Sequence, residues 1–420
     1  MAPRAAGALP AGVESLDALA QMPGVREACR FFARERRWLD ETHLALCRIP
    51  APTFFEQRRA EWVARELDRW GWETRMDRAG NVISTLPDTP KDAPLIALTA
   101  HLDTVLAPKS PEDIRLDAND RFRGPGVSDN GAGLAGLLGV ARAVAESGLP
   151  DFGRGRLLLA ATVGEEGEGN LSGMKYLCRQ STLAERLRSL VVLDGPDVHH
   201  ITAEALSCRR YEITVSGPGG HSWSDHGTAN AIHAMARAIT WYTDQCSDPG
   251  RAREGRTSFN FGVIEGGSTV NSIPAQARVK VDLRAESPPD LDGLSTLLAS
   301  TLERALLQEN ERAVSGRVTG KLKETGWRPG GKLPEGAPIL GYVRAVDSFL
   351  GIRSHLDCAS TDANVPLWMG LPAISIGAGG QGGGAHTPGE WYSTDGRELG
   401  LRRVLLLLCL LLADASGQGG

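Results

Sequence analysis

A chain of 420 residues is longer than one ordinary core organises, so two domains are expected. Its formal net charge of −5, with no Lys/Arg-rich block, argues against a nucleic-acid or anionic-membrane surface. Seven scattered cysteines without a C-x-x-C pair, and an Ala/Gly/Pro-rich N-terminus without an apolar leader segment, point to a reduced, cytoplasmic protein.

Residues 29–49 and 55–72 read as helices, the second with an apolar stripe through Trp62, Leu67 and Trp70. From residue 95 the texture becomes α/β. LIALTAHLD (95–103), RLLLAATVGEE (156–166) and SLVVLDGPD (189–197) are apolar runs without alternation, and GAGLAGLLGVARAVAESG (131–148) is a small-residue helix. Such runs predict a largely parallel sheet covered on both faces, with ligands bound beyond the carboxyl ends of its strands. From about residue 207 the pattern alternates, as half-exposed antiparallel strands do, in YEITVSGPGG (211–220), FNFGVIEGG (259–267) and ARVKVDLRAE (277–286). Helical stretches at 229–243 and 291–308 lie among these runs. ILGYVRAVDSFLGI (339–352) and LPAISIGAGG (371–380) then return to the first texture. The expected architecture is a discontinuous α/β domain, residues 1–206 and 326–420, carrying an inserted α+β module at 207–325. VLLLLCLLLA (404–413) falls short of the roughly 20 apolar residues of a membrane helix and reads as a core helix.

The chemistry concentrates at the ends of the apolar runs. Glu165 and Glu166 are adjacent carboxylates where a buried strand emerges, a costly placement unless something positive compensates it. His101, Asp129, Asp194 and His386 lie at comparable strand ends or in Gly-rich turns. Five of these side chains satisfy two metals if one carboxylate bridges. His101 and Asp194 serve one ion, Glu166 and His386 the other, and Asp129 is shared. Each ion then keeps an open position, as a catalytic site requires. Glu165 stays available as a general base, because consecutive residues at a strand end point in different directions. Asp103, two residues after His101, is placed to orient the imidazole. Zinc is the default for such a donor set, with cobalt or manganese as alternatives. Taken singly, H-x-D is an ordinary surface pair, E-E a solvated one, Asp129 a helix cap and His386 a loop histidine; their joint occurrence at strand ends favours a metal centre.

At this point the chain resembles the dinuclear zinc peptidases of the M20 clan, which include tripeptidase T, carnosinase-like dipeptidases, succinyl-diaminopimelate desuccinylase and carboxypeptidase G. AHLDTV, GVSDNGAGLAGLL, TVGEEGEG, VVLDGPD, SGPGGHS, VNSIPAQARVKVDLRAE and STDANVPLWMGLPAISIGAGGQGGGAHTPGEW carry the resemblance, from about residue 99 to 391. It implies the same ligands, a cis peptide after Asp129, and an inserted module that acts as a lid and dimerises. It also implies that His221 reaches the partner subunit's active site while Asn271 and Arg284 bind substrate. His and Asn donors suit an oxyanion, and Arg suits a carboxylate. Read alone, His221 is a turn residue, Asn271 a strand cap and Arg284 a solvated charge. Aspartate at 194 and the loop GEGNLSGMKYL (167–177) are similar to the aminopeptidase and tripeptidase branches, so hydrolysis of short peptides by a homodimer is expected. The alternative within the family is an N-acyl amino acid deacylase or carboxypeptidase.

Two readings of other classes compete. GAGLAG (131–136) formally matches the dinucleotide-binding G-x-G-x-x-G, but RFRGPGVSDN before it is poor strand material. A metal-binding scaffold without catalysis would be expected to have lost a ligand or the base, and none is missing.

Overall fold

The computed structural model describes residues 9–10, 12–150, 156–247 and 255–417. The first eight residues of the Ala/Gly/Pro-rich N-terminus, on which the absence of a leader segment was partly read, lie outside the described residues. The chain divides into two compact units, Met1–Ala205 with Gly331–Gly420, and Leu206–Gly330.

The first unit is built on a mixed nine-stranded sheet. Its centre is parallel: Leu157–Thr162, Leu95–His101, Leu187–Leu193 and Ala373–Ile376 run side by side in that order. Every residue of Leu95–His101 and Leu157–Thr162 is buried, which explains why these strands read as continuous apolar runs. Val82–Thr85 and His200–Ala205 extend the sheet antiparallel on either side. Register aligns the strand ends. His101 faces Thr162, and Thr99 faces Val192, so His101, Glu165, Glu166 and Asp194 all emerge at one edge.

Helices Pro23–Arg34, Gly131–Ser147 and Arg397–Gly417 pack against one another, and the last two also reach strand Leu95–His101. Helix Gln57–Arg69 buries Ala60, Val63 and Leu67, while Trp62 and Trp70 are only half-buried, so its inward stripe is narrower and smaller than the tryptophans suggest. Helix Arg397–Gly417 buries Leu405, Leu406, Leu407, Leu408 and Leu410 around its whole circumference, as a helix enclosed in a core does. No described helix is long and apolar enough to cross a membrane.

The second unit is a four-stranded antiparallel sheet in the order Thr257–Gly266, Gln276–Ala285, Ser207–Ser216, Thr319–Arg328, packed with helices Ala231–Cys246 and Pro288–Arg312. Thr319–Arg328 has no counterpart among the expected strands. It is an edge strand whose Lys321, Lys323 and Glu324 are exposed, which removes the alternation that marks the others. The strand also crosses position 325/326, where the texture change placed the return to the first domain. The module leaves and rejoins the first unit at adjacent points, since Gly331 pairs with Ala205.

Within the apolar helix Arg397–Gly417 sits fully buried Arg403, whose Nε and Nη2 donate to Asp347 Oδ1 and Oδ2 at 2.6 and 2.8 Å. Removing one partner strands a buried charge. Asp347→Ala should destabilise the first unit by about 3–5 kcal/mol, while Asp347→Leu with Arg403→Met should recover most of the loss. Urea unfolding midpoints of the three proteins check this; equal midpoints for wild type and Asp347→Ala would show that the pair carries no stability.

Candidate metal centre

Strand ends and two loops bring His101, Asp129, Glu166, Asp194 and His386 together. The two oxygens of Asp129 face different imidazoles: His101 Nε2 lies 3.2 Å from Oδ1, and His386 Nε2 lies 3.0 Å from Oδ2. Asp194 Oδ1 is 3.8 Å from His101 Nε2, and Glu166 Oε1 is 2.8 Å from His386 Nε2. Two ligating groups result, His101–Asp129–Asp194 and Asp129–Glu166–His386, each with its atoms within 4.8 Å of one another. Glu165 also falls within that distance of His101 and Glu166.

The electrostatics identify what the donors lack. Asp129 and then Glu166 hydrogen-bond His386 and push its imidazolium up to about 10. Burial opposes charging of His101, yet Asp103, Asp129 and Asp194 carry it well above its ordinary range. Burial likewise opposes ionisation of Asp129, but His101 and His386 hold its carboxyl far below the usual range. Protons on both imidazoles therefore stand where cations would. Neutral imidazole and carboxylate are the donors a divalent ion takes, so the residues fit two such ions.

The expected orienting role of Asp103 takes a different form. His101 Nδ1 donates to the main-chain carbonyl of Asp103 at 3.0 Å, with the carboxylate Oδ1 farther away at 3.5 Å. This bond leaves Nε2 facing the centre. The Asp103 carboxylate instead accepts from Glu165 N–H at 3.0 Å, Glu166 N–H at 2.9 Å and Thr53 Oγ1 at 2.9 Å. It thereby fastens the end of one strand to the end of its neighbour. Burial works against the charge on Asp103, but His101 and the two N–H donors keep its carboxyl below the usual range.

The Asp129–Asn130 peptide is cis. Asn130, and not Asp129, caps the following helix: its Oδ1 accepts from Gly133 N–H at 3.0 Å and Gly195 N–H at 3.1 Å, and its Nδ2 donates to Leu193 O at 2.9 Å. Asp129 is left for the centre, and its loop is tied to the residues flanking Asp194. The glycines of GAGLAG serve packing. A Cβ on Gly133 would meet Asn130 Oδ1 at 2.2 Å and Leu193 O at 2.7 Å, and one on Gly136 would meet Ala378 Cβ at 2.9 Å.

The residues expected to bind substrate lie in the second unit. His221 and Asn271 are neighbours, since His221 pairs with Ser272 and Ser222 N–H donates to Asn271 O at 3.0 Å. His221 Nδ1 accepts from Trp223 and Ser224 N–H at 3.2 and 3.3 Å, which puts the ring proton on exposed Nε2. Arg284 lies at the other end of strand Gln276–Ala285, where its Nε donates to Asp282 Oδ2 at 2.7 Å.

Residues 208–310 match the family described as "Peptidase dimerisation domain" of the M20 peptidases, and residues 81–246, which contain His101, Asp129, Glu165, Glu166 and Asp194, match "Peptidase family M28". The chain belongs to the M20/M28 peptidase family. This peptidase is 24% identical to the uncharacterized protein YqjE of Bacillus subtilis over 82% of its own length and 91% of that protein's. It is 26% identical to succinyl-diaminopimelate desuccinylase of Ectopseudomonas mendocina, over 64% of its own chain and 74% of the relative's. The fold is shared with aminopeptidase PepT of Bacillus cereus, at a TM-score of 0.69 and 21% identity, covering 90% of this chain and 98% of that one.

The peptidase also relies on residues that sequence reasoning missed. Glu390 is buried, and its carboxylate accepts from the N–H groups of Gly126 at 2.7 Å, Ser128 at 2.7 Å and Asp129 at 2.8 Å, shaping the loop that presents Asp129. Its signal was an acidic residue closing the Gly-rich His386 loop. Asp362 is fully buried, accepts from Thr162 Oγ1 at 2.5 Å, and is pushed up to about 6 by burial. Glu390→Gln would turn an amide N–H₂ toward main-chain donors. The variant should fold with an unchanged circular dichroism spectrum yet hold metal about 10–100-fold more weakly, measured by metal content after equilibration with a chelator. Unchanged retention would show that the Asp129 loop does not depend on Glu390.

Proposed function

We propose that the protein is a dinuclear metallopeptidase that hydrolyses an amide bond in short peptides, with Glu165 as general base. The single observation that carries this reading is Asp129, whose two oxygens address two separate histidine groups, as a carboxylate shared between two ions does. When bound, two divalent cations, zinc by default, would supply an activated water and polarise the scissile carbonyl. His101 and Asp194 would hold one ion, Glu166 and His386 the other, and Asp129 both. Glu165 takes the proton of the attacking water and returns it to the amine that leaves. The Asp103 carboxylate holds the main chain of Glu165 and Glu166, so base and ligand keep their separate directions. His221 Nε2–H and Asn271 donate to the oxyanion, and Arg284 binds a substrate carboxylate once released from Asp282.

The lid supports a shared site. Arg284 lies eight residues into its strand from Gln276, about 26 Å along a strand that rises 3.3 Å per residue, and His221 and Asn271 lie beyond its opposite end. One short peptide cannot span both ends of the same lid, which supports the reading that the two sets come from different subunits of a homodimer. Strand Thr257–Gly266 lies at the edge of its sheet with Val263 and Ile264 exposed, and helix Ala231–Cys246 exposes Ile232, which suits the contact between copies. A cytoplasmic location agrees with seven free cysteines. N-acyl amino acid deacylation is the second reading, favoured by the similarity to a desuccinylase.

Glu165→Gln should keep both metals while losing activity by about 10²–10⁴-fold, read by metal analysis alongside tripeptide hydrolysis. Loss of metal in this variant would make Glu165 a ligand, and normal turnover would assign the base elsewhere. Mixing inactive His221→Ala chains with inactive Glu165→Gln chains should restore part of the activity, because some heterodimers assemble one complete site. No recovery despite demonstrated subunit exchange would place His221 in its own chain's site or outside catalysis.

A further inference from the structure

Next to the metal centre the first unit contains another polar pocket, of about 400 Å³, with Asp194 in its wall. Three adjacent strands build its floor. Asp357 on His355–Ala359 pairs with Thr202 on His200–Ala205, which pairs with Ser375 on Ala373–Ile376. All three side chains line the pocket, so this row faces it. The pocket is also continuous with the reacting end of the sheet, because Ser375 pairs with Val192, two residues before Asp194.

The charges in this pocket are unevenly matched: His199, His200 and His355 line it beside Asp194, Asp197 and Asp357, and among the described residues only His200 forms an ion pair with Asp197 or Asp357. Asp197 accepts from His200 Nδ1 at 2.9 Å and is matched by it. Burial opposes the charge on His200, but Asp197, Asp357 and Asp194 keep its imidazole above the ordinary range. Asp357 accepts from the Thr202 hydroxyl at 2.6 Å, and among the described residues no basic side chain forms an ion pair with it. In the same row Ser375 is 1% exposed and lines the pocket, and its buried hydroxyl has no hydrogen-bond partner. A buried hydroxyl without a partner costs about 1–3 kcal/mol unless a ligand or water completes it. An unmatched carboxylate beside an unsatisfied hydroxyl asks for a donor that carries positive charge.

A metal ion does not meet that need here. Among the described residues the converging groups of ligating atoms all belong to the centre already described, and none includes Asp197, His200, His355 or Asp357. An anion would meet Asp194, Asp197 and Asp357. A pocket of this size does fit an extended aliphatic stem ending in an ammonium or guanidinium, whose hydrogens can divide between Asp357 and Ser375.

We propose that this pocket is a specificity subsite for a lysine or arginine side chain of the substrate, with Asp357 as its counter-charge and Ser375 as a hydroxyl partner at its floor. The inference deepens the peptidase reading and rests on it. The pocket opens beside Asp194, so a cationic side chain bound there places the neighbouring amide toward the centre. A peptide with an uncharged side chain of equal length would fill the same volume but leave Asp357 unmatched and desolvated.

The test uses the metal-loaded full chain and tripeptides carrying lysine, norleucine or glutamate at each position in turn. At one position lysine should exceed norleucine in kcat/KM by about ten- to a hundredfold, mostly through KM. Asp357→Asn should abolish that preference, leave norleucine peptides and metal content unchanged, and Asp357→Glu should restore part of it. Equal turnover of lysine and norleucine peptides at every position, or an equal loss for both in Asp357→Asn, overturns the subsite and leaves the peptidase reading standing. If no peptide is cleaved, the peptidase reading fails, and calorimetry with agmatine then decides the subsite alone. Binding to wild type that is lost in Asp357→Asn supports it, and absence of binding overturns it. A third divalent ion retained by wild type and lost in Asp357→Asn would also overturn it, by assigning the pocket to a metal.

Discussion

Carboxylates gathered within a few ångströms repel one another, and the arrangement of the first unit follows from containing that repulsion. Asp129, Asp194, Glu165 and Glu166 converge at one end of the sheet, beside His101 and His386. The parallel strands contribute rigidity. Their buried ladders fix where His101, Asp194 and the Glu165–Glu166 pair emerge, so the like charges cannot relax apart. Two divalent cations held there would complete a balance that the protein has prepared.

Two further carboxylates hold this arrangement from behind, and they use main-chain donors. Asp103 collects the N–H groups of Glu165 and Glu166, and Glu390 collects those of Gly126, Ser128 and Asp129. Each is a buried charge stabilised by oriented peptide dipoles. The consequence is geometric: Glu165 and Glu166 on one side, and Asp129 on the other, inherit their directions from backbone positions. Asn130 adds the third tie, joining the Asp129 loop to the strand end before Asp194.

Much of the centre was legible because burial and charge sit side by side in the sequence. An apolar run that ends in His101, in Glu165 and Glu166, or in Asp194 announces both a strand and the chemistry at its tip. The supporting ties were not legible, since each depends on partners far away in the chain: Glu390 lies more than 260 residues from its donors. Local rules made Asp129 a candidate helix cap, and the fold gives that role to its neighbour Asn130 instead. Strand Thr319–Arg328 escaped for the opposite reason, because an edge strand tolerates exposed charge and loses the period that marks its neighbours. Asp357 and Ser375, 29 and 11 residues before His386 in sequence, are brought beside Asp194 only by sheet order.

The pairing of Gly331 with Ala205 bears on how such a chain assembles. An inserted segment of this length, if unfolded, would impose on the host sheet the entropy of closing a long loop. Once the insert has formed its own antiparallel sheet, its two ends emerge beside each other, and the host is left to close a gap no wider than a hairpin turn. Folding of the inserted unit thus converts a remote connection into a local one, and the strands that lead to His101, Glu165 and Asp194 can pair as though the chain were continuous.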